Sequence, residues 1–227
     1  MTLGRTQVVE AAVALLDEVG LEALTLRRVA TRLGVQAPAL YWYVKSKQDL
    51  LDQIATAIAA ESPERPPPAR EAWPRRLGRH GRELRELLLR HRDGAMVVAQ
   101  TGALSQHWPP AADVTAAMVD AGMAPADANE AVRTVRQFVL GYTLDEQAAS
   151  QAAGTLGHGS ERRSVGDESE REPGDESARE PGVESERRPT DASSDAREDP
   201  ARTEEPAFES ALRIIIDGLR VRGPRRH

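Results

Sequence analysis

Residues 25–47 read TLRRVATRLGVQAPALYWYVKSK, and the fold is decided by how this stretch is parsed. Leu26, Val29, Ala30 and Leu33 recur at helical spacing and give one apolar face. Gly34 closes that helix, because glycine takes the left-handed backbone of a helix C-terminus at little steric cost. Pro38 suits the first turn of a following helix, where its missing N–H is not needed, so a second helix starts near Ala37. Leu40 and Val44 then face the core, leaving Gln36, Ala37, Ala39, Tyr41, Trp42, Tyr43 and Lys47 mostly outward. The pattern is a helix-turn-helix.

Its composition points to a partner. Between Thr25 and Gln48 stand five basic residues, Arg27, Arg28, Arg32, Lys45 and Lys47, and no acidic one. A charge run is commonly a solvated face, and helix corners occur throughout all-helical proteins. Here, however, one helix face cannot bury three neighbouring aromatics, so at least one of Tyr41, Trp42 and Tyr43 is exposed. Exposed rings on a basic helical unit fit the footprint of sequence-specific DNA binding.

Outward from this unit the chain reads as all-α, with no strand-like alternation. A first helix spans about Thr6 to Val19, with Thr6 as N-cap, Gly20 beyond its end and Val9, Val13, Leu16 and Val19 as its buried stripe. A fourth helix starts near Lys47 and stops before SPERPPPA (62–69), because consecutive prolines cannot continue a helix. Further helices are expected at 73–91, 95–104, 114–121, 125–150 and 206–222. The last carries Ile214, Ile215 and Ile216, which require a covering surface within the chain or on a second subunit.

The chain has 227 residues and a net charge of −6. Residues 158–205 hold sixteen acidic and eight basic side chains, a net of −8, so the rest of the chain carries +2. Within that segment ESEREPGD, ESAREPGV and ESERRPTD repeat at a period of eight, too short and too polar to stack. Residues 151–205 are therefore expected to form a disordered acidic loop. Such an insertion costs little, since closure entropy grows only logarithmically with length. Domain organisation is expected as 1–47 for the helix-turn-helix domain, and 48–150 with 206–222 for a helical regulatory and dimerisation domain.

The absence of cysteine excludes disulfides, cysteine-ligated zinc and thiol catalysis. The five histidines are scattered without metal-ligand spacing, so no metal or cofactor is expected. HRDG at 91–94 superficially resembles a kinase catalytic loop, but no glycine-rich loop, DFG or strand pattern accompanies it. It reads as a helix end, with His91 and Arg92 near the negative terminus and Gly94 as terminator. No enzyme is expected. With no span of apolar residues long enough for a membrane and no leader, the chain is expected to be cytoplasmic.

The segments LLDEVGLEALTLRRVATRLGV (15–35) and PALYWYVKSKQDLL (38–51) resemble the DNA-binding domain of the tetracycline-repressor (TetR) family. Trp73, LLLRHRDGA (87–95), QFVLGYTLDEQ (137–147) and FESALRIIIDGL (208–219) are similar to the regulatory core of its tetracycline-repressor subgroup. The resemblance implies a homodimeric, ligand-responsive repressor of palindromic operator DNA. It places Ala37, Pro38, Ala39, Tyr41, Trp42 and Tyr43 toward the major groove, and Thr25, Arg27, Tyr41 and Lys47 on phosphates. Where the family pattern has a base-reading glutamine this chain has Ala37, which offers only a methyl contact.

For the ligand pocket the resemblance implies a drug–magnesium chelate held by a histidine and a carboxylate. The histidine position is Val98 and the carboxylate position is Asp145. Thr101 keeps its hydroxyl, while Leu84, Val114 and His80 replace a phenylalanine, a glutamine and an asparagine. The pocket is thus expected to be apolar and metal-independent, with His80, Thr101, Asp145 and Trp108 as its polar anchors and a small apolar organic effector as its ligand. Two other readings stay open: a constitutive DNA binder without an effector, and a protein-interaction module.

Overall fold

The computed structural model describes residues 3–62, 71–106, 111–161 and 200–221. Trp108 and residues 162–199, which include the three octapeptide repeats, lie outside them. Among the described residues every regular element is a helix: α1 Arg5–Ala23, α2 Leu26–Arg32, α3 Ala37–Leu40, α4 Lys47–Ala60, α5 Trp73–Leu89, α6 Gly94–Thr101, α7 Ala103–Gln106, α8 Ala112–Asp120, α9 Pro125–Glu161 and α10 Pro200–Val221. The all-α expectation holds, and none of these helices is long and apolar enough to cross a membrane.

Local signals account for most boundaries. Thr25 accepts from Arg28 N at 3.2 Å and Ser46 from Asp49 N at 3.0 Å, capping α2 and α4. At the end of α2, Val35 N donates to Ala30 O and Gly34 N to Thr31 O, with Gly34 at φ 67°. These are the paired bonds of a Schellman motif, and they turn the chain into α3 as expected.

Several expectations need correction. α1 begins one residue before Thr6, with Gly4 N donating to Gln7 Oε1 at 2.9 Å, and its buried face is Val8, Ala12, Leu15 and Leu16. Val9, Val13 and Val19 are only half-buried, because α2 and α4 pack against the neighbouring stripe. The recognition helix ends at Leu40, and residues 41–43 form a turn. Gly94 starts α6 instead of terminating α5, after Asp93 at φ 58°. α9 continues to Glu161 and α10 begins at Pro200, so helix covers both ends of the segment expected to be a loop.

The helical head, α1 to α3, rests on α4, whose Leu50, Ile54 and Ile58 are fully buried. α4 packs on α6 as well as on α1, so it belongs to both halves of the molecule. α5 lies centrally against α6, α8, α9 and α10. Leu77, Leu84, Leu87, Leu88, Val98, Val114, Met118, Val135 and Leu212 fill this second core. Full burial of each large aliphatic side chain stabilises by about 1.5–3 kcal/mol. Phe208 of α10 stacks on Phe138 at 5.7 Å and meets Tyr142 edge-on at 5.2 Å. Arg85 lies 4.9 Å over the Phe208 ring and binds Glu146 through both carboxylate oxygens, at 3.0 and 2.6 Å.

Candidate nucleic-acid interface and its connection to the core

The turn after α3 presents the rings that the sequence predicted to be outward. Trp42 is 87% exposed and Tyr41 58% exposed, a large apolar display for a surface with no structural use for it. Pro38 is exposed beside them, while Ala37 and Ala39 are half-buried. Tyr43 departs from the expectation: its hydroxyl donates to Leu3 O at 2.6 Å and its ring packs on the core, so it anchors the N-terminal segment. Of three consecutive aromatics, the one nearest in register to buried Leu40 and Val44 turned inward.

The basic charge is also partly committed. Arg32 pairs with Glu18 at 2.6 Å and Arg28 folds back onto Ala23 O at 3.3 Å. All five basic residues are nonetheless exposed, with Lys47 Nζ 3.5 Å from Leu21 O. Thr25 accepts the α2 capping bond and lies exposed on the same side of the chain turn. Asp49, the nearest carboxylate after Lys47, is directed back at Lys45 N at 2.7 Å, and that bond, then one from Gln53, holds its carboxyl below the usual range.

The residues expected to line a ligand pocket are not brought together as one lining. Leu84, Val98 and Val114 are buried in the packed core. The Thr101 hydroxyl donates within its own helix, to Val97 O at 3.0 Å and Val98 O at 3.2 Å. Asp145 is exposed on α9, and its neighbour Glu146 is the buried carboxylate. A helix turns 100° per residue, so the sequence alone left that one-position difference unresolved. His80 accepts from Arg136 Nε at 3.0 Å. Burial, then the Arg136 guanidinium, lowers its pKa from 6.5 to about 4, so the ring is neutral at pH 7. Val98 offers only methyl groups and Asp145 points away from it, so these residues do not fit a magnesium chelate. Among the described residues no three metal-ligating side chains cluster.

A cavity of about 780 Å³ opens elsewhere, between α7, α8 and α9. Alanines on α8 and Val132, Arg133 and Arg136 on α9 line it. None of the expected pocket residues that the structure describes lines it.

The HRDG turn makes the closest polar connection between head and core. His91 is buried, with Nδ1 3.2 Å from Asp17 Oδ2 and Nε2 3.1 Å from Glu61 Oε2. Arg92 N donates to Asp17 Oδ1 at 3.1 Å and its side chain to Glu18 O at 3.1 Å. Asp93 Oδ2 accepts from Leu21 N at 2.7 Å, and its other oxygen accepts from Gln151 of α9. Gln147 of α9 donates to Leu88 O and to His91 O at 2.8 Å. One helix thus grips the turn that grips α1 and α4. Reading HRDG as a simple helix end missed this, although three consecutive charged or titratable residues before a glycine were a visible signal.

The chain matches two family models: residues 8–54 match "Bacterial regulatory proteins, tetR family", and residues 65–222 match "Tetracyclin repressor-like, C-terminal domain". The tetracycline repressor protein class A from transposon 1721 of Escherichia coli is 35% identical over 228 residues, 96% of this chain and 95% of that one. A structure of class A TetR with 5a,6-anhydrotetracycline and magnesium superposes with a TM-score of 0.63 and 29% identity, covering 98% of this chain and 100% of the other. BioQ bound to its double-stranded DNA operator has a TM-score of 0.57 and 36% identity, over 68% of this chain and 94% of BioQ.

Proposed function

Since the chain belongs to the TetR family, we propose that it is a homodimeric transcriptional repressor that binds a palindromic operator and leaves it when a small organic effector binds. The observation that carries this reading is the exposed Tyr41–Trp42 pair on a helix-turn-helix whose sequence from Thr25 to Gln48 contains no acidic residue. Stacking and methyl contacts from these rings, with Ala37 and Pro38, would read base edges in the major groove. Arg27, Lys47 and the Thr25 hydroxyl would hold phosphates and set the register. The solved complex of BioQ with operator DNA supports this use of the head.

Residues 1–47 would be the reading head, and 48–150 with 206–222 the regulatory and dimerisation part. α9 and α10 supply the dimer surface in this reading, supported by Ile214 at 70% exposed on α10, whose neighbour Ile216 is buried in the chain's own core. Pairing two heads across a two-fold axis requires a palindromic site with half-sites a helical turn apart, or a multiple of it. Effector binding would shift α9, and through Gln147, Gln151 and the His91–Asp93 turn it would re-aim the head. The complex of class A TetR with 5a,6-anhydrotetracycline and magnesium supports an effector-bound state, although Val98 argues against a metal chelate here.

The test is selection of binding sites from random DNA, followed by shift assays across a salt series. The expected result is one palindromic consensus, bound with a steep inverse dependence on salt. Recovery of no consensus, or of non-palindromic sites by a monomeric protein, would refute the proposal.

A further inference from the structure

Tyr43 fixes the segment before α1 beside the recognition turn. Its hydroxyl donates to Leu3 O at 2.6 Å, and the Leu3 side chain packs on the same core as the Tyr43 ring. Gly4 N, bonded to Gln7 Oε1 at 2.9 Å, then sets the first turn of α1. The first residue of that helix is Arg5, and its side chain is exposed. The exposed rings of Tyr41 and Trp42 immediately precede Tyr43 in the chain. Arg5 is therefore carried on a backbone held next to the surface that faces DNA.

Nothing within the chain accounts for an arginine at this position. The first turn of a helix favours acidic side chains, because the macrodipole is positive there, yet α1 has none in that turn and begins with a cation. The positions three and four residues on, where an ion-pair partner would stand, are Val8 and Val9. Among the described residues no ion pair or side-chain hydrogen bond involves Arg5. Its nearest electrostatic neighbour is Asp49, whose carboxyl is lowered first by the bonds from Lys45 N and Gln53 and then by the charges of Arg5 and Lys45. Both oxygens of Asp49 are already engaged, Oδ2 by Lys45 N at 2.7 Å and Oδ1 by Gln53 Nε2 at 3.0 Å. Arg5 and Lys45 thus gather around one carboxylate at the edge of the recognition turn, and the Arg5 guanidinium keeps its donors for a partner outside the chain.

We infer that Arg5 is a further phosphate contact of the head, outside the helix-turn-helix, and that Tyr43 is its positioning residue. This rests on the DNA-binding reading above and adds a DNA-backbone contact from α1 to it. The Tyr43 hydroxyl is committed to Leu3 O, so Tyr43 acts on DNA through the arginine it places and not through a base. A cation whose backbone is fixed before DNA arrives loses less freedom on binding than one on a loose arm. A phosphate contact adds grip and register without reading sequence.

Titration of the full chain with its selected operator across a salt series tests this. Arg5→Gln should lower affinity about tenfold or more and reduce the salt slope by about one unit per head, with the consensus unchanged. Arg5→Lys keeps the charge and should keep the slope. Tyr43→Phe deletes only the hydroxyl; it should weaken binding in the wild-type background and add nothing to Arg5→Gln in a double-mutant cycle. A hydroxyl that merely stabilised the head would weaken both backgrounds equally, and that additive result would overturn the positioning role. A slope untouched by Arg5→Gln, or an altered consensus, would overturn the phosphate contact. If Tyr43→Phe fails to fold, Arg5→Gln against Arg5→Lys still decides the contact. Wild-type protein without salt-dependent operator binding rejects the repressor reading itself, whereas wild-type binding with an unchanged Arg5→Gln slope rejects this inference alone.

Discussion

Replacing Gly20 by alanine should be far more damaging than the same change at Gly34, although both glycines have positive φ. Gly20 sits at φ 78°, ψ 171°, a region that side chains scarcely enter, which costs on the order of 1–3 kcal/mol. An added Cβ would also stand 2.9 Å from Asp93 Oδ2 and 3.0 Å from Arg92 Nε. Asp93 must then withdraw and release Leu21 N, a bond to a charged acceptor contributing about 1.5–3 kcal/mol. The sum is about 2.5–6 kcal/mol, a large part of a typical domain's stability. Gly34, at φ 67° with nothing within 4 Å of an added Cβ, incurs only the left-handed backbone cost of about 1–2 kcal/mol. Urea denaturation of both variants, with m-values compared, measures the difference. Adding Asp93→Ala closes a double-mutant cycle, in which Gly20→Ala should lose about 1.5–3 kcal/mol of its effect because the bond is already gone. If the two glycine variants lie within about 0.5 kcal/mol of each other, or the cycle is additive, the head is not pinned by Asp93.

Other outcomes follow from groups already described. His80 has its folded-state pKa depressed to about 4 against 6.5 unfolded, so the unfolded chain binds the proton first and stability falls as pH drops through that window. Between pH 7 and 5 the wild type should lose about 2 kcal/mol that His80→Asn does not, read from urea midpoints; parallel curves would reject the assignment. Glu146→Gln, which leaves Arg85 buried without its ion-pair partner, should cost about 3–5 kcal/mol, whereas Arg85→Met with Glu146→Leu should cost much less, as thermal and urea unfolding would show. Lys47→Ala should weaken binding to every DNA sequence alike and reduce the salt slope by about one unit, and an altered consensus with an unchanged slope would contradict a phosphate role.

Much of the architecture was legible because it rests on short-range rules. Gly34 announced its turn, Pro38 the next helix, and Leu26 to Leu33 their common face; each is fixed by residues a few positions away. What depends on neighbours distant in sequence was less legible. α1 offered two adjacent apolar stripes, and only packing against α2 and α4 chose Val8 and Ala12 over Val9 and Val13. Asp145 and Glu146 differ by one helical step, and Arg85, 61 positions earlier, decided which is buried. Tyr43 was assigned to the surface with its neighbours, because nothing local signalled that Leu3 would offer it a carbonyl. The cavity was missed for a related reason: alanines on α8 carry no chemical signal until α9 places arginines opposite them.

The pairing of Arg32 with Glu18 bears on how such a protein finds its site in a chromosome. Five unpaired cations per head would give a two-headed molecule a salt exponent of about −9, whereas four give about −7. The weaker grip falls on every sequence equally, so it shortens the dwell time on random DNA and leaves discrimination to the tyrosine and tryptophan beside it. Because random sites outnumber an operator by roughly a million or more, shedding non-specific affinity raises the fraction of molecules available to the operator. One ion pair on the surface of the head thus sets a search property that no contact with bases would reveal.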